Sequence, residues 1–448
     1  MRGFVAGALG LALLGGCVSG DGGSGFGDRA SALPPSLAYR LTQSLTTEVG
    51  PRLAGTPREA AARDWAVRTL KDLKFGRVAV EPFTIKGWAR EREEAFIVSH
   101  GDQALAVTAL GGSISTPKAG ITAPIAFVAS YDDLLLAPPD AYAGKIVFIN
   151  DRMKAARDGS GYGVAVRKRS RGAIEAAKRG ALAVAIRSVG TDNTRFPHTG
   201  NMNYDAAVKR IPAAAVSNAD ADQLERLHAM GVPMRLKLVL KTRAIADAPS
   251  GNVVADIVGV EKPDEIVLLA AHLDSWDLGT GAVDDATGVA IVVAAALKAA
   301  GPEMKPKRTI RVVLYGAEEV GVHGGDAYAK AHAGEIANHV LATEADFGTG
   351  RVWRFASKAL EADLPFFDSV AAGLRDLGVE RGDNKSGGGA DIAALAKKGV
   401  PIVGLSQDGT TYFDYHHTAN DTLDKVDAAA LEQNVEVYAR VARAFANR

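Results

Sequence analysis

The sequence contains a single cysteine among its 448 residues, so no disulfide within the chain can stabilise the fold. The chain also has no excess of charge of one sign, because 52 lysines and arginines balance 52 aspartates and glutamates, and neither sign forms a long run. A nucleic-acid groove or a polybasic membrane patch needs such an excess, so we expect small or neutral partners and no nucleic acid. No internal repeat or long low-complexity tract occurs. The fold therefore depends on its hydrophobic core, with a bound metal as the one further aid.

The length and composition favour an α/β protein with more than one domain. A chain of 448 residues exceeds what one hydrophobic core usually organises, so we expect two domains. Hydrophobic residues make up 47% of the chain, and the 49 glycines are typical of sharp turns between strands and helices.

The N-terminus predicts export from the cytoplasm. Met1 and Arg2 precede the run "GFVAGALGLALLGGC", which has the length of a signal-peptide core and is too short to span a bilayer permanently. The run ends at Cys17 after "LLGG", which resembles the lipobox of bacterial lipoproteins, where that cysteine becomes the lipid anchor. The alternative is an ordinary signal peptide with a chance cysteine. We predict a signal peptide over 1–17, a flexible tether over 18–32, and a periplasmic, outer-membrane-anchored or secreted protein.

The remaining chain predicts one α/β domain that is interrupted by an insert. Two helices flank "VGPRLAGTP", and the strands "RVAVEPFTI" and "EEAFIVS" follow. Short strands separated by glycines then form a self-contained piece, after which strands alternate with helices to the end. Such alternation implies right-handed crossovers and a mostly parallel, mixed sheet flanked by helices. We assign 33–105 and 245–448 to this domain and 105–245 to the insert.

Acidic residues follow the apolar strands of the predicted sheet. His272 and Asp274 come after "EIVLLAA", Glu318 and Glu319 after "RTIRVVLYGA", and Asp346 after "HVLATEA". Because the carboxyl ends of parallel strands face one crevice, we expect these side chains to meet there. Crowded carboxylates repel one another and lose hydration, so their joint ionisation requires a cation. The sequence therefore predicts a divalent metal site.

The histidines narrow the choice of metal. Only His272 and the pair His416–His417, in "YFDYHHTANDT", lie beside other candidate site residues. Imidazole and carboxylate ligands suit zinc, and one histidine with two carboxylates per ion, one of them shared, is a workable binuclear set. The absence of HExxH excludes a single-zinc metalloprotease of that kind. The other histidines are expected to be structural: His100, His198, His228, His323, His332 and His339.

Four motifs together resemble a known family. The segments "HLDSWDLGTGAVDDATG", "AEEVG", "EADFGTG" and "YFDYHHTANDT", in this order, resemble the co-catalytic two-zinc exopeptidase family, which includes plasma glutamate carboxypeptidase (carboxypeptidase Q) and bacterial leucyl aminopeptidases. The likeness extends to "VGPRLAGTP" and "GGGADIAALAKKGVPIVGLSQDG", and the insert resembles a protease-associated domain. The resemblance covers nearly everything after the tether and implies the zinc exopeptidase, phosphorylase/hydrolase-like fold.

The resemblance also implies two zinc ions per chain and the side chains that hold them. Its ligands are His272 and Asp346 for one ion, Glu319 and His417 for the other, and Asp284 as the bridge. Choosing Asp284 over Asp285, and His417 over His416, rests on the spacing seen in the family, because the pattern of residues alone leaves both choices open.

Two further acidic residues receive roles beside the ligands. The resemblance makes Glu318 the general base, and adjacent residues that leave a strand point opposite ways, so Glu319 can hold metal while Glu318 faces the substrate. Asp274 lies on the same side of the strand as His272 and can accept its other ring N–H, which would set the imidazole tautomer. Asp277, Asp285 and Asp421 are expected to cap helices or to support the ligands.

The implied activity is hydrolysis of dipeptides or short peptides with a free N-terminus by a water that two zinc ions activate. An aminopeptidase on longer peptides is one alternative, and a non-catalytic receptor on the same fold is another. The insert would act as a lid, set the substrate length or form a homodimer contact. The glycines 387–389 form a substrate-backbone loop or a plain turn, because no phosphate-loop lysine follows them.

Overall fold

A sheet of 14 strands organises residues 35–448, which are the residues that the computed structural model describes. The strands are β1 Arg77–Ile97, β2 Gln103–Leu105, β3 Val107–Ala109, β4 Ile121–Val128, β5 Ile146–Ile149, β6 Ala183–Arg187, β7 Ala213–Val216, β8 Arg235–Ile257, β9 Lys262–His272, β10 Arg308–Tyr315, β11 His339–Glu344, β12 Val352–Lys358, β13 Glu380–Arg381 and β14 Ile402–Gln407. The predicted signal peptide with Cys17 and the tether over 18–32 lie outside the described residues.

Helices cover the sheet. They are α1 Leu37–Ser44, α2 Pro57–Asp72, α3 Tyr131–Leu136, α4 Ser160–Ala177, α5 Asn218–Ala229, α6 Thr287–Ala300, α7 His323–Ala331, α8 Leu364–Ala372, α9 Ala393–Lys397 and α10 Ala428–Ala446. Two of these helices begin at a residue whose side chain caps the helix N-terminus. The Thr56 hydroxyl accepts the Glu59 N–H before α2, and the Asp427 carboxylate accepts the first free N–H groups of α10. Within residues 35–448, no helix combines the length and the apolar character that crossing a membrane requires.

The strand order places the parallel strands at the centre of one half of the sheet. The order is β13-β12-β14-β11-β9-β10-β8-β4-β5-β6-β7-β3, with β1 paired to β8 and β2 to β1. Strands β14, β11, β9 and β10 run parallel, whereas β12 and β8 are antiparallel to their neighbours β14 and β10. The predicted α/β fold with a mixed sheet flanked by helices is therefore confirmed.

Strand β9 shows why this half of the sheet is stable. Its apolar run is buried on both faces: Val267, Leu269 and Ala271 pack in the core that contains α6 and α10, and Leu268 and Ala270 pack in the core on the other face. A strand covered on both faces needs a continuous apolar sequence. Full burial of a leucine or valine side chain contributes about 1.5–3 kcal/mol, so this strand is strongly held.

A long two-stranded ribbon joins the two halves of the sheet. Strands β1 and β8 pair from Arg77 opposite Asp256 to Ile97 opposite Leu236, with register shifts after Ile85 and Arg90. The two strands that we predicted between residues 77 and 99 are therefore one bulged strand. One end of β8 pairs with β10 and the other with β4, which opens the parallel strands β4 to β7 of the 105–245 segment. Residues Ser36–Arg448 form one compact unit, and the division into domains stays a prediction.

Candidate metal centre and active site

Neighbouring strands end at one edge of the sheet and bring the predicted ligands together. His272 is the last residue of β9, Glu319 follows β10, and Asp346 follows β11. Asp284 lies on the turn before α6, and His417 lies on the loop between β14 and α10. His272, Asp284, Glu319 and His417 are buried, and Asp346 is largely buried. The crevice predicted from the strand ends is therefore present.

The Asp284 carboxylate lies between two imidazoles. Its Oδ1 atom is 3.0 Å from His272 Nε2, and its Oδ2 atom is 3.3 Å from His417 Nε2. Asp346 Oδ1 is 3.4 Å from His272 Nε2, and Glu319 Oε2 is 2.9 Å from His417 Nε2. The five predicted ligands thus form two groups that share Asp284.

The hydrogen bonds of the two histidines suit metal binding. The Nδ1 atom of His272 lies 3.0 Å from the carbonyl oxygen of Asp274, and that of His417 lies 3.3 Å from the carbonyl oxygen of Thr199. A ring that donates through Nδ1 keeps a lone pair on Nε2, the atom that faces the carboxylates. In addition, Glu319 Oε1 is buried without a hydrogen-bond partner. Nitrogen and carboxylate donors with an unpartnered oxygen among them fit zinc.

His416 is an alternative to Glu319 as a metal ligand beside Asp284. Its Nε2 atom is 3.7 Å from Asp284 Oδ2, and the donor atoms of Asp284, His416 and His417 lie within 4.8 Å of one another. The His416 ring stacks on His417 with 3.5 Å between ring centroids. Burial lowers the pKa of His416 well below its usual value, and the neighbouring His417 acts in the same direction. Glu319 Oε2 lies 2.9 Å from His417 Nε2 and has a second oxygen without a hydrogen-bond partner, so Glu319 stays the predicted ligand.

Carboxylates outnumber the positively charged groups at this edge. Burial raises the pKa of Glu318 well above its usual value and also raises that of Asp346, and neighbouring carboxylates add to both effects. Burial also opposes ionisation of Asp284, but its pKa is well below its usual value, because the hydrogen bonds and the positive charge of the doubly protonated neighbouring histidines together outweigh burial. A bound divalent cation would supply the missing positive charge and allow all of these groups to ionise.

Two aspartates that we expected to be supporting groups hold the backbone of the ligands. The Asp421 carboxylate accepts the backbone N–H groups of Val283 at 2.6 Å and Asp284 at 3.1 Å. The Asp285 carboxylate accepts those of His272 at 3.2 Å and Gly288 at 3.0 Å. Charge-assisted hydrogen bonds of this kind are stronger than neutral ones, so they restrict the movement of both ligands.

Asp274 differs in detail from the prediction. The group nearest His272 Nδ1 is the Asp274 carbonyl at 3.0 Å, whereas its carboxylate Oδ1 atom is 3.9 Å away. The carboxylate instead accepts the backbone N–H groups of Glu318 at 3.0 Å and Glu319 at 3.3 Å. The chain turns directly after β9, so the carbonyl rather than the side chain faces the ring. Burial raises the pKa of Asp274 to about 7.

The 105–245 segment supplies part of the site through residues that the sequence analysis did not single out. The ligands line a cavity of about 320 Å³, together with Glu318, and three more of its lining residues, Tyr162, Arg169 and Asn201, belong to this segment. The Thr199 carbonyl near His417 belongs to it as well. No spacing of these residues indicates such a role, because they lie more than 70 residues before His272 and reach the site only through packing.

A second pocket adjoins the metal cavity. It has a volume of about 210 Å³ and shares Asp346 and Phe347 with the first. Gly388 and Gly389 line it, and a Cβ atom on Gly389 would collide with the Glu344 carboxylate. The predicted glycine loop is therefore part of a cavity wall, and its contact with a substrate backbone stays a prediction.

The fold and the histidine–carboxylate cluster at its strand ends define a metallopeptidase. Residues 252–442 match the family model described as Peptidase family M28, and the chain belongs to this family. It is a metal-dependent exopeptidase, a hydrolase of peptide bonds, as the motifs indicated.

Its relatives include carboxypeptidases and aminopeptidases. Carboxypeptidase Q from Bos taurus is 35% identical over 430 residues, which cover 94% of this chain and 89% of that protein. The crystal structure of a peptidase M28 precursor from Shewanella amazonensis superimposes with a TM-score of 0.90 at 47% identity, covering 92% of this chain and 93% of the other. A zinc aminopeptidase from Bacillus subtilis shares the fold, with a TM-score of 0.65 at 21% identity over 90% of this chain and 93% of its own.

Proposed function

We propose that this chain binds two zinc ions and hydrolyses dipeptides or short peptides that have a free N-terminus. One observation carries the proposal: the two oxygens of the Asp284 carboxylate face two different imidazoles, those of His272 and His417. A carboxylate in this position can bridge two metal ions. The donor set favours zinc, and the Bacillus subtilis protein that shares the fold is described as a zinc aminopeptidase.

The chain's residues have distinct roles in this proposal. His272 and Asp346 would hold one ion, Glu319 and His417 would hold the other, and Asp284 would contribute to both sites. Zinc bound there would polarise a peptide carbonyl and lower the pKa of a water molecule. Glu318 lines the same cavity and lies outside both ligand groups, so its carboxylate takes the proton from the water and passes it to the leaving amine.

The surroundings support a small substrate with a free amine. The cavity of about 320 Å³ is bordered by the aromatic side chains of Tyr162, Phe347, Tyr412 and Phe413, which limit its extent. Buried carboxylates attract the ammonium group of an unblocked N-terminus and disfavour an acylated one. The second candidate is an aminopeptidase that acts on longer peptides, and comparing a dipeptide with a pentapeptide distinguishes the two.

The test compares two variants with the wild-type protein. Metal analysis should find two zinc ions per chain, and L-alanyl-L-alanine should be hydrolysed, whereas its N-acetyl form or added chelator should abolish turnover. Glu318→Gln should keep both ions and lower kcat about 100- to 10,000-fold, because it removes a general base. Asp284→Ala should instead lose metal. The exposed Glu303→Gln, which removes a similar charge from a residue outside the metal cavity, is the control.

Two outcomes would overturn the proposal. Wild-type turnover in Glu318→Gln would remove Glu318 from the role of base. A protein without metal and without activity on any unblocked peptide would favour the receptor alternative, in which the fold only binds partners.

We also propose that the protein is exported and lipid-anchored through Cys17, on the strength of its N-terminal sequence. Labelled palmitate should be incorporated into the wild-type protein and not into Cys17→Ser. Equal labelling of both would contradict the anchor.

A further inference from the structure

Arg169 on α4 is the only lysine or arginine among the described residues that line the metal cavity. The other charged or ionisable groups on this wall are carboxylates, histidines and tyrosines. The Arg169 side chain is buried, with 6% of its surface exposed. A buried positive charge in a cavity built mainly from acidic groups needs a reason for its position.

The hydrogen bonds of Arg169 leave part of its guanidinium unused. One terminal nitrogen donates to the Tyr162 hydroxyl, and the other makes two long contacts, of 3.5 Å with the Thr199 carbonyl and 3.4 Å with His417 Nδ1. The Nε atom is buried and has no hydrogen-bond partner, and within residues 35–448 the guanidinium forms no salt bridge. Burying an unpaired cation is costly, and a guanidinium binds a carboxylate through two parallel hydrogen bonds. The unused donors therefore fit a carboxylate ligand.

The guanidinium is held in place before any ligand binds. Tyr162, its hydrogen-bond partner, stacks on Phe413 with 4.9 Å between ring centroids. On another side, Gly200 has φ +134°, and a Cβ atom there would lie 2.5 Å from the Arg169 guanidinium carbon. Only glycine leaves room for the cation at this point. A group fixed in advance loses little conformational entropy on binding, which favours affinity.

The position of Arg169 determines how far from the metal centre a carboxylate ligand bound to it would lie. Its Nη1 atom is 3.4 Å from His417 Nδ1, on the side of the imidazole away from the Nε2 atom that faces Asp284 and Glu319. The guanidinium is thus about one imidazole ring from the ligand atoms. In a dipeptide, a single residue separates the scissile carbonyl from the terminal carboxylate, so the two groups have a matching separation.

We infer that Arg169 binds the C-terminal carboxylate of a dipeptide while the scissile bond lies at the metal centre. This inference rests on the proposed function and deepens it, because it makes the enzyme selective for dipeptides over longer or C-terminally blocked substrates. In a longer peptide the position beside Arg169 would be occupied by an uncharged amide, which leaves the cation unpaired.

The experiment measures kcat/KM for L-alanyl-L-alanine, its C-terminal amide, and L-alanyl-L-aspartic acid α-amide, whose only carboxylate is in the side chain. The wild-type protein should prefer the free dipeptide over its amide by about 30-fold or more, the effect expected for one desolvated charge pair. Arg169→Met should bring this ratio close to one while keeping two zinc ions, and Arg169→Lys should restore part of it. Arg167→Met removes a charge from the same helix at a surface pair with Asp132 and should leave the ratio unchanged.

Each outcome decides the question. A wild-type ratio near one, or a ratio that persists in Arg169→Met, overturns the inference even though dipeptides are hydrolysed. If L-alanyl-L-aspartic acid α-amide has the same kcat/KM as the free dipeptide, the site binds a side-chain carboxylate as well as a terminal one, and the inference is overturned. Equal losses on all substrates together with loss of zinc would make Arg169 a positioning residue for His417. If the wild-type protein cleaves no peptide, the proposed function itself fails.

Discussion

Replacing Arg52 with methionine should destabilise the protein and its metal centre together. The guanidinium is completely buried and donates to the carbonyls of Leu273 at 2.6 Å, Thr280 at 2.7 Å and Gly281 at 2.9 Å. These carbonyls belong to the loop that connects His272 to Asp284, so one side chain holds the backbone between two predicted ligands. Methionine fills a similar volume and donates no hydrogen bond.

The magnitude follows from the carbonyls left without donors. A buried acceptor without a partner costs about 1–3 kcal/mol. Three carbonyls would lose their donor, those of Leu273, Thr280 and Gly50, whereas the Gly281 carbonyl still accepts the Ala286 N–H. Allowing for relaxation of the loop, we expect the free energy of unfolding to fall by roughly 3–5 kcal/mol, the range seen when a buried charged network is broken. Lysine should recover little of this, because a single ammonium group cannot reach three diverging carbonyls.

Urea unfolding of the metal-free protein measures this effect as a lower midpoint at an unchanged slope. The control is Arg243→Met, which removes an exposed arginine paired with Glu91 and should change stability by at most about 0.5 kcal/mol. A loss below about 1 kcal/mol for Arg52→Met would refute the reasoning, since it would mean that the loop satisfies its carbonyls without the guanidinium. Zinc affinity should fall in the same variant, measured by competition with a chelator.

Three further substitutions test other contacts. Asp421→Asn should weaken zinc binding about 10- to 100-fold, because its amide cannot accept both N–H groups that orient Asp284, and unchanged affinity in a chelator titration would contradict this role. Gly288→Ala should lower the free energy of unfolding by about 1–3 kcal/mol, because the methyl group collides with the Ala345 carbonyl and the Asp285 carboxylate, and a thermal midpoint equal to that of the wild type would rule out the collision. The hydrogen bond to Glu81 raises the pKa of His332 in the folded state, so this pair stabilises fully below the unfolded pKa of about 6.5 and loses its effect as pH rises through the folded pKa. The stability difference between wild type and His332→Gln should therefore shrink above pH 6.5, and a difference independent of pH would contradict it.

The strand ends were predictable because their signal is local. A strand buried on both faces needs an unbroken apolar run, so the polar residue after the run marks where the strand leaves the core. His272, Glu319 and Asp346 were located in this way, and the structure brings their side chains to one edge of the sheet. Selecting Asp284 rather than Asp285 required the spacing of the family, because both aspartates precede α6 and differ only in the direction of their side chains.

The ribbon and the Asp274 contact were not predictable in detail. Gly87 interrupts the alternation of residues in β1, so the sequence indicated two strands where pairing with β8 maintains one. The group that approaches the His272 Nδ1 atom is a carbonyl rather than the predicted carboxylate, because the direction of the chain after β9 decides which oxygen faces the ring. The residue types indicate neither the continuity of β1 nor the contact of the Asp274 carbonyl with His272.

The sequence by itself determined the fold class, the family and the residue types that gather at the sheet edge, because burial and alternation act between residues that are close along the chain. Only the tertiary structure decided that Asp284 turns one oxygen toward each of His272 and His417, and that Arg169 from the 105–245 segment lines the same cavity. These groups are far apart in sequence, and their distances depend on how whole elements pack, which no local pattern encodes.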